Sequence, residues 1–322
     1  MEIIGHQKNI DFLNKSLANE KMAHAYLFYG PEKIGKTKVA EYFITKLFCS
    51  GKKDLNSEPC GRCDHCRQIL KHVHPDVFWL SNEPGEIIGV EQGRIIKEFI
   101  FSTPFSATYK AVIIEEADCL TSAAANSLLK LLEEPPLDSV IILISRDFNR
   151  LPSTIRSRCQ ILRFTAPLKR EIENFLKNNF SLKGNQLEEI LDLSHNLPGL
   201  AIEFAKNLEK LEQKRKMIEE IIFLLAKKDL ESKLKLASLM LEIETNPEKN
   251  LDCLLIVLRE LILFKNGLNF QRKTFNFLEK TKEIYSLIDL ENFINQIFKT
   301  KVLIRANVNK KMALENLFIN LN

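Results

Sequence analysis

The chain has 322 residues, 45% of them hydrophobic and 27% charged, and a net charge of +4. That length exceeds one ordinary domain, the balance excludes a disordered chain, and so mild a charge permits nucleic-acid contact without arguing for it. No stretch approaches the roughly 20 apolar residues that span a bilayer, and the start, Met1 to His6, lacks the basic-then-apolar layout of a secretory signal. A cytoplasmic protein without membrane association is expected.

Ala25–Tyr29 is a short apolar run closed by Gly-Pro and reads as a buried strand. A glycine loop follows, and Lys36–Phe48 then repeats apolar residues at helical spacing (Val39, Ala40, Phe43, Leu47). Val77–Leu80 is a second strand, and 90–101 a helix with Ile95, Ile96 and Phe99 expected on one face. Lys110–Glu115 reads as a third strand. Ser122–Glu133 is a helix stopped by Pro135-Pro136. Val140–Ile144 and Gln160–Phe164 complete the strands. Strands alternating with helices imply a mainly parallel sheet covered on both faces. Beyond Pro167 short helical patterns take over, broken at Asn196-Leu-Pro-Gly199. From about Asn207 to Asn322 the periodicity is helical and rich in Lys, Glu, Leu and Ile, with no convincing strand. The expected fold class is thus an α/β P-loop domain with a parallel sheet, a small helical domain and an all-α C-terminal bundle. The boundaries fall at 1–166, 167–207 and 208–322.

Gly30-Pro31-Glu32-Lys33-Ile34-Gly35-Lys36-Thr37 has the G-x-x-x-x-G-K-T pattern. Its glycines let backbone amides turn inward around phosphate oxygens, helped by the positive end of the following helix. Lys36 would reach the outer phosphates of ATP, and the Thr37 hydroxyl would complete a Mg²⁺ shell. Hydrolysis also needs acids at a neighbouring strand end. Glu115 sits where a metal-coordinating Asp is usual, and Glu116 where a base would polarise water. A Glu in place of that Asp is one methylene longer, which crowds an octahedral Mg²⁺ shell. Ser145, at the end of the fourth strand, joins the nucleotide-binding candidates.

Of seven cysteines, Cys119, Cys159 and Cys253 stand alone among apolar neighbours and read as buried thiols. The other four cluster, which in a chain without an export signal favours a metal over disulfides. Cys60-Gly-Arg-Cys63-Asp-His-Cys66 gives two overlapping C-x-x-C steps, and Cys49 supplies the fourth thiolate across the polar 50–59 insertion. Structural Zn²⁺ suits such a set best, with an iron–sulfur cluster as the alternative and His65 and His72 as competing ligands. Between the last two strands, Leu151 to Gln160 carries Arg156 and Arg158 among small hydroxyl residues. They are either surface charge or, for Arg158, a guanidinium aimed at a neighbouring subunit's nucleotide.

Taken in order, Ala23-His-Ala-Tyr-Leu-Phe28, the phosphate loop, the cysteine knuckle at 49–66, V-I-I-E-E-A-D, N-S-L-L-K-L-L-E-E-P-P (126–136) and T-I-R-S-R-C (154–159) resemble the AAA+ clamp-loader subunits of bacterial DNA polymerase III. The resemblance runs through residues 3–205. Within the family it is most similar to the delta-prime branch rather than the gamma/tau motors. It starts directly at Ile3-Ile4-Gly5-His6, ends soon after the helical region, and offers Gly199 where gamma/tau carry a sensor arginine. The resemblance implies a stator in a hetero-pentameric ring with gamma/tau and delta subunits, loading the sliding clamp onto primer-template DNA. It implies Arg158 as an arginine finger in trans, the C-terminal bundle as an oligomerisation collar, and weak or absent ATPase of its own. Any nucleotidyltransferase activity belongs to the assembled polymerase. A gamma/tau-type hydrolysing motor is the alternative. A zinc-dependent DNA-binding module is a third reading, disfavoured because no basic recognition helix adjoins the knuckle.

Overall fold

The computed structural model describes residues 2–51, 57–81, 86–227, 229–242, 247–267, 284–306 and 308–321. Residues 52–56 of the polar insertion, and 268–283 of the C-terminal helical periodicity, lie outside them. The chain divides into two compact units, one of residues 1–181 with 196–202, the other of 182–195 with 203–322.

The first unit opens with α1 (Gln7–Ala18), then β1 (Ala25–Tyr29), α2 (Lys36–Phe48), α3 (Asp64–Leu70), β2 (Val77–Leu80) and α4 (Val90–Phe101). It continues through β3 (Lys110–Ile114), α5 (Ser122–Glu133), β4 (Ser139–Ser145), the one-turn α6 (Ser153–Arg156), β5 (Gln160–Arg163) and α7 (Lys169–Asn179). The strands stand in the order β2-β3-β4-β1-β5, and every pairing is parallel. This is the parallel α/β architecture expected, with the glycine loop between β1 and α2. Strand positions alternate between two cores, as a period of two requires. Tyr26, Phe28, Ile113, Ile142 and Ile144 pack with α1 and α2 on one face; Leu27, Val112, Ile114, Ile141 and Leu143 pack with α4 and α5 on the other. Sandwiched strands explain the unbroken apolar runs.

In α4 Ile96 is buried and Phe99 packs against the core as expected, whereas Ile95 is 44% exposed and Ile100 and Gly93 are buried instead. A Cβ at Gly93 would overlap Ser127 Oγ on α5, so the two helices meet at the glycine. Of the cysteines outside the knuckle, Cys253 is buried and Cys159, half-buried, packs against the apolar core as expected, but Cys119 is half-buried beside the Glu116 and Asp118 carboxylates rather than among apolar groups.

The chain then forms α8 (Gly184–Leu193), α9 (Pro198–Lys206), α10 (Leu208–Leu225), α11 (Leu230–Glu242), α12 (Pro247–Lys265), α13 (Leu287–Arg305) and α14 (Lys310–Ile319). The second unit is helical throughout its described residues. In it α8 packs on α10, α11 on α14 and α12 on α13. Among the described residues no helix is long and apolar enough to cross a membrane.

Candidate nucleotide and metal sites

Because all five strands run the same way, the carboxyl ends of β1, β3 and β4 share one edge, where α/β sheets place their ligands. β1 ends in the phosphate loop. Gly30 leaves the strand at φ +154°, its N–H donating to the Ser145 carbonyl at 3.3 Å, and a side chain there would overlap the Phe164 carbonyl. Lys33 (φ 59°) and Gly35 (φ 110°) take left-handed conformations that turn the loop into α2. Gly35 is the N-cap, so the first amides of α2 open into the loop as anion binding requires. Ile34 is fully buried and anchors the loop; Thr37, second in α2, is half-buried.

Three contacts hold the loop from behind. His6 Nε2 lies 2.7 Å from the Ile34 carbonyl oxygen, and its ring meets Phe164 edge-on at 4.9 Å. Burial lowers the His6 pKa, so the ring is held neutral. The Gly199 N–H donates to the Lys33 carbonyl at 2.8 Å, and a Cβ at Gly199 would stand 2.8 Å from that oxygen. This position therefore has room for glycine and no room for an arginine stem. Lys36 is 6% exposed and donates to the Gly30 and Pro31 carbonyls, each at 2.7 Å. Burial pulls its pKa down to about 8, against the opposing pull of Glu116, Asp118 and Glu32.

The acids beyond β3 do not converge as the sequence suggests. Glu115 accepts from Ser81 Oγ at 2.7 Å, at an exposed position. Glu116, in a left-handed conformation (φ 51°), points instead toward Arg146, the residue after β4. Arg146 lies 3.0 Å from the Glu116 carboxylate, 3.4 Å from Asp118 and 3.6 Å from Glu32 of the loop. Its backbone N–H also donates to Asp118 at 3.1 Å, and Arg150 approaches Asp118 at 3.8 Å. Burial raises the Glu116 pKa, partly offset by Arg146. Glu116, Asp118 and Cys119 lie close enough together to ligate an ion, but two guanidiniums already face the carboxylates. These donors therefore do not fit the Mg²⁺ shell expected of Glu115 and Thr37. Ser145 is buried and donates to the Asp147 carbonyl at 3.0 Å, fixing its own strand end.

The four knuckle sulfurs do converge. Those of Cys49, Cys60, Cys63 and Cys66 all lie within 4.8 Å of one another. Cys49 caps the end of α2 and Cys63 the start of α3, so two helix termini set the spacing. Backbone amides of Cys60, Cys63 and Cys66 donate to the sulfurs of Cys49, Cys60 and Cys63 at 3.3, 3.4 and 3.4 Å, a shell that favours thiolates. Burial works against the Cys63 thiolate, but backbone and side-chain hydrogen bonds from Cys66 and Ser50 outweigh it and bring the pKa to about 5. Burial pushes Cys66 up. Gly51 is required here, because a Cβ would stand 2.8 Å from Cys60 Sγ. Four soft donors at tetrahedral reach fit Zn²⁺. His65 is taken by His74 at 2.7 Å and His72 by Glu41 at 3.0 Å, so neither joins the sulfurs.

Arg158 follows α6. Its guanidinium, 35% exposed, donates to Glu133 at 2.5 Å and to the Thr154 carbonyl at 2.9 Å. Arg156 lies over the Phe148 ring at 4.4 Å. Sequence reasoning passed over Arg146, His6 and Glu133. Arg146 carried a usable signal, since a charge directly after a buried strand beside β1 must fall near the loop.

The family model described as DNA polymerase III, delta subunit, matches residues 5–167. DNA polymerase III subunit delta' of Pseudomonas aeruginosa is 31% identical over 304 residues, 92% of this chain and 91% of that protein. The chain belongs to the delta-prime family of DNA polymerase III subunits. The delta' subunit of Bacillus subtilis is 29% identical over 313 residues, covering 95% of this chain and 93% of that protein. The tau subunit of Bacillus subtilis is 26% identical and covers 92% of this chain but spans 58% along its own length. These two delta' subunits thus match along more than nine-tenths of their length, whereas the match covers 58% of tau.

Proposed function

We propose that this delta-prime family member is a non-motor subunit of a clamp loader, a ring of related subunits that places the sliding clamp on primer-template DNA. Gamma/tau and delta subunits are its ring partners, and DNA is met by the assembled complex. Arg158 serves as the arginine finger, lending its guanidinium to a neighbour's ATP. Its own loop holds ATP with little turnover, and the Cys49–Cys66 knuckle holds a structural Zn²⁺.

The observation that carries the finger is the setting of Arg158. Its hydrogen-bond partners are Glu133, Thr154 and Ser157, with no residue of its own loop among them, and a third of its side chain faces outward. Glu133 pairs with the guanidinium at a partly exposed position, so a phosphate can take it over by exchanging one anion for another. The motor alternative draws on the intact loop and the tau match. The acids paired with Arg146 weigh against it, since a base bound to a guanidinium does not polarise water.

The test is ATP turnover by the complex reconstituted with gamma/tau and delta subunits. Arg158→Ala is expected to lower it by at least about tenfold, finger contributions being of order 10³ or more per site. The melting temperature of the isolated chain should hardly move, because the lost pair is a surface ion pair. Undiminished turnover in that complex sinks the reading. Brisk turnover by the isolated chain, abolished by Lys36→Ala, favours the motor.

A further inference from the structure

Arg146 is absorbed by neither the finger nor the loop, yet it pairs with three carboxylates around the phosphate site described above. It reaches Glu116, Asp118 and Glu32, so one side chain from β4 ties the end of β3 to the phosphate loop. Glu116 Oε2 is buried with no aligned hydrogen bond, which leaves the charge of Arg146 as its compensation. Glu115, the residue at the metal-ligand position, is turned to Ser81. Mg²⁺ needs near-ideal octahedral oxygens, and placing one beside Glu116 and Asp118 would set a dication against Arg146 and Arg150.

We propose that Arg146 takes the place of the divalent cation, so that this chain binds ATP through a guanidinium and without dependence on Mg²⁺. A guanidinium can satisfy phosphate oxygens in bidentate fashion while remaining tied to a carboxylate, and with Arg150 and Lys36 it offsets the three acids that would otherwise repel a triphosphate. The same pairing keeps Glu116 from acting as a base. The inference rests on the reading that the loop holds a nucleotide, but not on the role of Arg158.

The experiment is titration of the isolated full chain with a fluorescent ATP analogue, in EDTA and in excess MgCl₂, with melting curves as the folding control. Wild-type affinity should differ by less than about fivefold between the two conditions. Arg146→Met should lose about tenfold or more of its affinity in EDTA and regain most of it in MgCl₂, with Arg146→Lys in between, since loss of one charged hydrogen bond is worth about that factor. A merely structural role would lower affinity equally in both conditions. If Arg146→Met fails to fold, Glu116→Gln decides: freeing the guanidinium should raise metal-free affinity. The proposal is overturned by larger wild-type Mg²⁺ dependence, by Arg146→Met binding as wild type in EDTA, by unchanged or lower affinity in Glu116→Gln, or by no wild-type binding at all. Each of these leaves the ring role standing, because that role is read from Arg158→Ala in the assembled complex.

Discussion

Lys36 shows how a ligand site stores an unfavourable charge. The ammonium is nearly enclosed, and its two short hydrogen bonds go to carbonyls of its own loop. Burial is the dominant influence and holds the folded pKa near 8, against 10.5 for an unperturbed lysine. For a base with a lowered folded pKa, the unfolded chain binds more protons between the two values. Stability therefore rises with pH across that window, and the penalty is fully present below about pH 8. The penalty at neutral pH is of order 3 kcal/mol and falls to under about 1 kcal/mol at pH 10. Lys36→Met abolishes the effect. Urea melts should show wild type gaining about 2 kcal/mol relative to Lys36→Met between pH 7 and pH 10. A constant difference would mean that the lysine is solvated in the nucleotide-free chain. This pairing of lost stability with a poised ligand group is the trade-off expected at a functional site.

At the level of elements, what the sequence disclosed depended on how local each feature was. The phosphate loop and the knuckle are contiguous patterns bounded by helix ends, so their spacing alone revealed them. The strands were readable because burial on both faces leaves apolar runs of only a few residues. The exposure of Ile95 on α4 was not, because α4 meets α5 along Gly93 and Ser127. Nor was the fate of the acids, which depends on Arg146 arriving from another strand. Gly51 sits in the polar insertion, yet its backbone runs against Cys60. Its lack of a Cβ lets the chain pass Cys60 Sγ, so Gly51→Ala must shift a ligand by several tenths of an ångström. Chelation of wild type should lower the melting temperature, because metal binding free energy is folding free energy for such a knuckle. Gly51→Ala should retain metal at neutral pH but release it to a competing chelator at least about tenfold more readily, as for a disturbed ligand shell. A chain that purifies without stoichiometric zinc or iron, or that melts identically with and without chelator, would remove the metal from the knuckle.

For the whole molecule, the chain does not divide where its composition changes. The shift near residue 207 marks the start of α10, but α8 belongs with the later helices, and the 196–202 stretch returns to the first unit to meet Lys33. Sequence shows where strands stop; it does not show which earlier helix a later bundle recruits. In the second unit Ile190 and Leu193 of α8 are fully buried, and Arg215 of α10 lies 3.8 Å from Glu189. A fragment starting at Leu208 would lose α8 and uncover the face of α10 on which it packs, whereas a fragment of 182–322 keeps both. Burying two aliphatic side chains is worth about 3–6 kcal/mol, which is comparable to the whole stability of a small helical domain. The longer fragment is therefore expected to unfold cooperatively, and 208–322 to melt broadly and bind a hydrophobic dye. Equal cooperativity in circular-dichroism melts of the two would show that α8 is a passenger, and that the composition boundary at 207 is the folding boundary after all.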